Sequence, residues 1–103
     1  MTKHEILFNY TQAMKQAERL DEVAQKLNRL ASDKMANTTY SLKTAWQSDN
    51  SPQYFRKMEL VQDRIKENYV NIQKVAQSIR TTAENMKRAE LKALEISNTR
   101  SYT

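Results

Sequence analysis

Apolar and small side chains recur along the first half of the chain at alternating spacings of four and three residues. The recurring positions are Ile6, Tyr10, Ala13, Ala17, Leu20, Ala24, Leu27 and Ala31. After a phase slip near Lys34, the stripe continues at Met35, Thr38, Leu42 and Ala45. Such a repeat is typical of a long helix that packs against another at a shallow angle, and the slip relaxes a supercoil without ending the helix. Because Thr2 and Glu5 have capping-box spacing, the pattern predicts helix one over about residues 3–46.

A second stripe fills the other half of the chain and repeats every seven residues. Its positions are Met58, Ile65, Ile72, Ile79, Met86 and Ala93, with Val61, Tyr69, Ala76 and Ala83 as companions. Between the stripes lies a polar break, in which Ser51 suits a helix N-cap and Pro52 suits the first helical position. The pattern predicts a bend over 47–51, helix two over about 52–96 and a flexible polar tail over 97–103.

A link this short folds two helices back on each other in antiparallel order. The chain has 0 glycines and 1 proline, whereas sheets and tight turns depend on residues that tolerate positive φ or fix a turn. The sequence thus predicts an all-α fold in which residues 1–103 form one domain, an antiparallel two-helix hairpin.

Each long helix of such a hairpin buries only one stripe, so further helices are expected to cover it. The predicted assembly is a dimer in which two hairpins pair into a four-helix bundle. Its seam consists of Ala13, Ala17, Leu20, Ala24, Leu27, Ile65, Ile72 and Ile79. A net charge of +5 without a charge block slightly favours a homodimer, and a heterodimer with a similar but acidic hairpin also fits.

Residues that carry catalysis are scarce in this sequence. His4 is the only histidine, cysteine is absent, and no glycine-rich loop exists to hold a phosphate. The carboxylates of Glu18, Asp21 and Glu22 fall on the predicted solvent face rather than in a cleft. We therefore expect a protein that is not an enzyme and that uses no cofactor, metal ion or small-molecule substrate.

The only tryptophan lies immediately before the predicted bend. Trp46-Gln47-Ser48 ends helix one, and the aromatic pair Tyr54 and Phe55 begins helix two. In a hairpin, these rings meet across the turn. Over nearly its whole length, the chain resembles the ESAT-like helical-hairpin substrates of type VII secretion, a family named for a Trp-x-Gly bend. Ser48 stands where that family usually has glycine, which makes this chain a Trp-x-Ser variant.

The resemblance extends to the end of helix two. The family's export signal is an aromatic residue followed four residues later by an acid, and the nearest match is Met86 with Glu90, followed by Ala93. Methionine in the aromatic position implies either a partner that carries the intact motif or a tolerant secretion machinery.

The resemblance also implies a function. Members of this family form four-helix dimers and are exported folded, without a cleaved signal peptide, from the cytoplasm of Gram-positive bacteria. Some act as secreted effectors, and others escort a larger toxin to the secretion ATPase. The bend of one subunit lies beside the C-terminal signal of the other, so Trp46, Ser48, Met86 and Glu90 are the expected recognition residues.

Two other functions fit parts of the pattern. An intracellular coiled-coil adaptor without an export role would have the same fold, with Trp46 serving only to plug the hairpin. A nucleic-acid-binding hairpin would use the basic residues near the end of helix two, but Glu84, Glu90 and Glu95 are interspersed among them. Nucleic acid is therefore not the expected partner.

Overall fold

In the computed structural model, which describes residues 1–46 and 51–100, the regular structure is helical throughout. Helix α1 spans Lys3–Arg29, a π-helical turn spans Leu30–Met35, α2 spans Ala36–Ala45 and α3 spans Ser51–Arg100. The all-α prediction is confirmed for these residues, none of which forms a strand.

Several helix boundaries differ from the predicted ones. The first helical segment ends at Ala45, because the backbone of Trp46 turns to φ −110° and ψ 104°. Helix α3 already includes Ser51, and it continues through residues 97–100, which were predicted to belong to a flexible tail. Residues 47–50 of the predicted bend and 101–103 of the predicted tail lie outside the described residues.

Side-chain hydrogen bonds are formed at the outer ends of α1 and α3. The backbone N–H of Glu5 donates to the Thr2 hydroxyl over 3.2 Å, and that hydroxyl donates to the Glu5 carboxylate over 3.2 Å. The predicted capping pair is thus formed, with its reciprocal bond made by the threonine hydroxyl rather than by its N–H. In the last turns of α3, the Thr99 hydroxyl donates back to the Glu95 carbonyl over 2.9 Å, a bond that satisfies the hydroxyl without strengthening the helix.

The π-turn changes which residues face inward after it. A π-helical turn closes bonds between residues five apart, so it holds more residues than an α-helical turn. Beyond it, Thr39 is buried, whereas Thr38 and Ala45 are exposed, so those two positions of the predicted stripe are wrong. Met35 and Leu42 are half-buried, as the stripe requires. The phase slip in the sequence is therefore one wide turn.

The chain divides into two units. The first joins residues 1–20 to the part of α3 from residue 74 onward. Its helices run antiparallel, since Lys3 shares a groove with Asn98 whereas Tyr10 bonds to Glu84. Its buried apolar side chains are Ile6, Ala17, Ala76 and Ala83. Apart from Ile6, this core is alanine, which lets the two helices approach closely but buries little apolar area.

The second unit, residues 21–73, contains the π-turn and the two helix ends beside the bend. Lys43 pairs with Glu59 and Trp46 contacts Phe55, so its two helical segments run antiparallel as a hairpin. Its buried side chains are Ala24, Ala31, Thr39, Ser51 and Phe55. Small side chains dominate this core too, and Phe55 closes it where α3 begins.

Candidate functional site

Three aromatic rings meet where α2 ends and α3 begins. The centroid of the Trp46 ring lies 5.3 Å from that of Tyr54 and 6.3 Å from that of Phe55, with interplanar angles of 62° and 78°. Edge-to-face contacts of this kind place the positive edge of one ring against the negative face of another. The rings therefore contact one another, the arrangement that the sequence predicts for them.

The three rings differ in how much surface they present. Phe55 is only 6% exposed and belongs to the core, whereas Trp46 is 42% exposed and Tyr54 is 51% exposed. Phe55 thus anchors the cluster in the core, whereas Trp46 and Tyr54 present an aromatic surface to solvent. Ser48, the remaining residue of the predicted bend motif, lies outside the described residues.

Lys43 of α2 contacts α3 beside this aromatic cluster. The Lys43 ammonium lies 3.0 Å from the Glu59 carboxylate and 5.7 Å from the centroid of the Phe55 ring. Both charged side chains are about half exposed, so the pair contributes at most about 1 kcal/mol. Its main effect is to orient the end of α2 against the start of α3.

The π-turn is held from the other helix by Gln62, which is not among the residues predicted from the sequence. Its side-chain amide donates to the Ala31 carbonyl over 2.7 Å, at the short end of the range for such bonds. Ala31 is fully buried, so water cannot replace this donor. The signal was present in the sequence, because Gln62 stands between Met58 and Ile65 on the inward stripe, where a polar residue is unexpected.

A polar cluster links the two helices of the first unit. The Tyr10 hydroxyl donates to the Glu84 carboxylate over 3.0 Å, and the Lys87 ammonium lies 3.9 Å from the centroid of the Tyr10 ring. The hydrogen bond to Glu84, then partial burial and the charge of that carboxylate, raise the pKa of Tyr10. Arg88 lies 4.0 Å from the same carboxylate. The cluster fixes the helices side by side and holds the phenol in its neutral form.

An open apolar groove lies in the same unit. Ala13 of α1 contributes one side, and Val75, Ile79 and Met86 of α3 contribute the other, around a volume of about 430 Å³. Val75 is 52% exposed and Met86 is 56% exposed, so much of this apolar surface faces water. The other edge of α3 is polar, since Gln77 helps to line a separate groove there. The helix pair therefore has one apolar edge and one polar edge.

The predicted dimer seam is divided between the interior and the surface of the units. Ala17 and Ala24 are fully buried by the chain's own helices, which closes them to a second chain. The other positions are half-buried: Ala13, Leu20, Leu27, Ile65, Ile72 and Ile79. Part of the surface of these side chains therefore remains exposed. On α3, Val61 and Met86 are more exposed than the predicted inward stripe implied.

The residues of the predicted export signal lie in the last part of α3. Met86 and Ala93 are exposed, and Glu90 is half-buried. Since seven residues make nearly two helical turns, Met86 and Ala93 occupy the same edge of the helix. That edge is the one that carries the apolar groove at Met86. The signal residues belong to the first unit and the aromatic cluster to the second.

Chemistry of other kinds has little support in the described residues. Residues 1–46 and 51–100 contain no group of three or more His, Cys, Asp or Glu side chains placed to hold a metal ion. No helix in that part of the chain is long and apolar enough to span a membrane. Comparisons with protein-family models, curated proteins and solved structures give no match to this chain. Its function is therefore inferred from its own residues.

Proposed function

We propose that this chain is a small non-enzymatic protein that works by helix–helix association and is exported by a type VII-like secretion system. It acts either as a secreted effector or as a partner that escorts a larger toxin to the secretion ATPase. It resides in the cytoplasm before export and leaves without a cleaved signal peptide. The bend cluster around Trp46 and the signal at Met86 and Glu90 are its recognition residues.

The observation that carries the proposal is the apolar groove beside an alanine core. Val75, Ile79 and Met86 are larger than the alanines buried around them; Val75 and Met86 remain open to water, and Ile79 is half-buried. Fully burying one side chain of this size stabilises an assembly by about 1.5–3 kcal/mol. A protein that leaves these side chains exposed and buries alanines gains stability when another helix covers the groove.

A helix is the partner that fits this groove. Its two walls are helices that run antiparallel, and the depression between such walls accepts the ridge of side chains on a third helix. A second copy of the chain presents the same ridge and the same groove, so the contact is self-complementary. This supports a pair of hairpins in a four-helix bundle, either of identical chains or of this chain with a similar hairpin.

The aromatic cluster supports the export half of the proposal. A tryptophan needed only as a plug gains most from complete burial, yet Trp46 and Tyr54 keep about half of their surface in water. Exposed aromatic residues beside a charged pair are frequent in protein-recognition surfaces. The cluster thus offers a secretion machinery a surface that exists only when α2 and α3 are folded together.

The assembly is tested by light scattering on the purified chain, together with far-UV circular dichroism on the same sample. A helical species at twice the mass of 12.1 kDa is expected for a homodimer. A monomer that reaches this helicity only with a similar hairpin from the same bacterium indicates the heterodimer. A stable helical monomer that pairs with no hairpin contradicts the proposed association.

Export is tested by following the tagged chain in culture supernatants of a type VII-competent bacterium and of a strain lacking the secretion ATPase. Trp46→Ala is expected to reduce export without changing the mass of the assembly. Tyr40→Ala is the matched control, because Tyr40 is an exposed aromatic in α2 outside the cluster. A chain that stays in the cells of both strains supports the coiled-coil adaptor instead.

A further inference from the structure

Three cations surround an exposed leucine at the π-turn of the second unit. Lys26 and Arg29 lie in the last turn of α1, and Lys34 lies in the π-turn. Together with Leu30 they line a surface concavity of about 370 Å³. Leu30 is 41% exposed although it stands among charged side chains. The result is a small apolar patch with a basic rim, which we call the basic concavity.

The π-turn explains why these side chains converge. In an uninterrupted α-helix, each residue turns by about 100°, so a residue eight positions after Lys26 points about 80° away from it. The wide turn takes up one additional residue, which rotates Lys34 back toward the line of Lys26 and Leu30. The turn that brings Thr39 inward thus also assembles the basic concavity.

The cations of the basic concavity form no ion pair in the part of the chain that the structure describes, although Glu22 stands four residues before Lys26 and Asp33 stands next to Lys34. Lys43 forms an ion pair with Glu59, but none is formed by Lys26, Arg29 or Lys34. Like charges one turn apart on a helix repel each other. A ligand with negative charges relieves this repulsion, so binding of an anion is favoured at this place.

We propose that the basic concavity binds an acidic segment of a partner protein, in which carboxylates flank an apolar side chain that contacts Leu30. An apolar centre inside a charged rim is the common layout of protein recognition surfaces. A membrane surface requires a longer apolar strip than the one leucine offered here. Nucleic acid binds to longer rows of cations or to stacking aromatic rings, and the lining of the concavity has neither.

This interaction is independent of the helix pairing proposed above. The basic concavity belongs to the second unit, whereas the apolar groove belongs to the first. The chemistry of the two surfaces also differs, since one is apolar throughout its centre and the other is dominated by charge. Substitutions in the groove are therefore expected to leave binding at the basic concavity unchanged.

The test uses the full chain and a fluorescein-labelled helical peptide with glutamates one turn before and one turn after a single leucine, followed by fluorescence anisotropy at low salt. The combined variant Lys26→Gln, Arg29→Gln and Lys34→Gln is expected to bind the peptide about tenfold more weakly. The matched control removes the same charge from exposed positions of α3 in the same unit: Lys57→Gln, Arg64→Gln and Lys66→Gln. Leu30→Ala is expected to weaken binding about fivefold, because it removes the apolar contact at the centre of the concavity. A site based on charge alone would not respond to this substitution.

Circular dichroism of each variant verifies that the helices are intact before binding is compared. The proposal is overturned if the control loses as much affinity as the combined variant, since net charge then explains the binding. It is also overturned if the unaltered chain does not bind the peptide. Tighter binding to phosphatidylglycerol vesicles or to duplex DNA through the same three cations assigns the concavity to a membrane or a nucleic acid and refutes the acidic segment.

Discussion

Gln62→Leu tests the contact that holds the π-turn to the opposite helix. Leucine has nearly the same size and helix propensity as glutamine, so the backbone of α3 is not perturbed. The substitution removes the amide that donates to the Ala31 carbonyl over 2.7 Å. Because Ala31 is fully buried, its carbonyl loses this bond without gaining one from water.

The magnitude follows from two opposing effects. An unsatisfied buried acceptor destabilises a fold by about 1–3 kcal/mol. Leucine recovers part of this through its apolar surface, but Gln62 is only half-buried, which limits the recovery to about 1 kcal/mol. We therefore expect the free energy of unfolding to fall by up to about 2 kcal/mol.

The measurement is urea unfolding at one fixed protein concentration, followed by circular dichroism and combined with amide hydrogen exchange. Gln73→Leu is the matched control, because Gln73 is an exposed residue of α3 in the same unit. It is expected to change the stability by less than about 0.5 kcal/mol. In Gln62→Leu, exchange should accelerate most in Leu30–Met35, where the lost bond acts.

Equal stability of the Gln62→Leu and Gln73→Leu variants would refute this reasoning, since the Ala31 carbonyl would then be satisfied without Gln62. A third variant, Gln62→Glu, sharpens the test. At neutral pH its carboxylate has no proton to donate and faces a carbonyl oxygen, so the loss should exceed that of the leucine variant. Protonation near the usual glutamate pKa of about 4.3 restores a donor, and part of the loss should then be recovered.

Three further substitutions test other parts of the structure. Tyr10→Phe removes the bond to Glu84, which raises the pKa of Tyr10. The stabilising effect of that bond should therefore be complete below about pH 10 and disappear as the pH rises through the raised pKa. A pH-independent difference in urea unfolding between the two chains would disprove this linkage. Thr39→Lys should destabilise the chain by at least about 2 kcal/mol in thermal unfolding, because it buries a charge. The control Thr38→Lys should change the stability by less than about 0.5 kcal/mol. The reverse order would disprove the register after the π-turn. Val75→Glu should retain the helicity but lower the mass in light scattering to that of a monomer, because it places a charge in the groove. Val70→Glu, outside the groove lining, should leave the mass unchanged. A dimer that survives Val75→Glu would place the pairing surface elsewhere.

Much of the fold could be predicted because helical periodicity is a local property. The absence of glycine and the repeat of four and three residues indicate helices, whichever partners cover them. The break before Pro52 and the pair Thr2 and Glu5 are also local signals, and both fall next to helix ends in the structure. The predicted tail was partly wrong, because a polar composition at residues 97–100 does not by itself end a helix.

The candidate site was less predictable because it depends on residues distant in sequence. The meeting of Trp46 with Tyr54 could be expected once a bend was placed between them. The pairing of Gln62 with Ala31 could not, because it depends on the register of one helix against the other. The edge of α3 that stays open at Val75 likewise depends on where the opposite helix lies.

By itself, the sequence determined the helical class, the place of the break and the inward stripe up to Ala31, because these follow from side-chain spacing within single helices. The tertiary structure decided that the phase slip is a π-turn, that Thr39 rather than Thr38 is buried after it, and which apolar side chains remain exposed. The physical reason is that a helix can accommodate an additional residue as a π-turn without ending. Local spacing therefore does not fix the register beyond that turn, and packing against the opposite helix selects it.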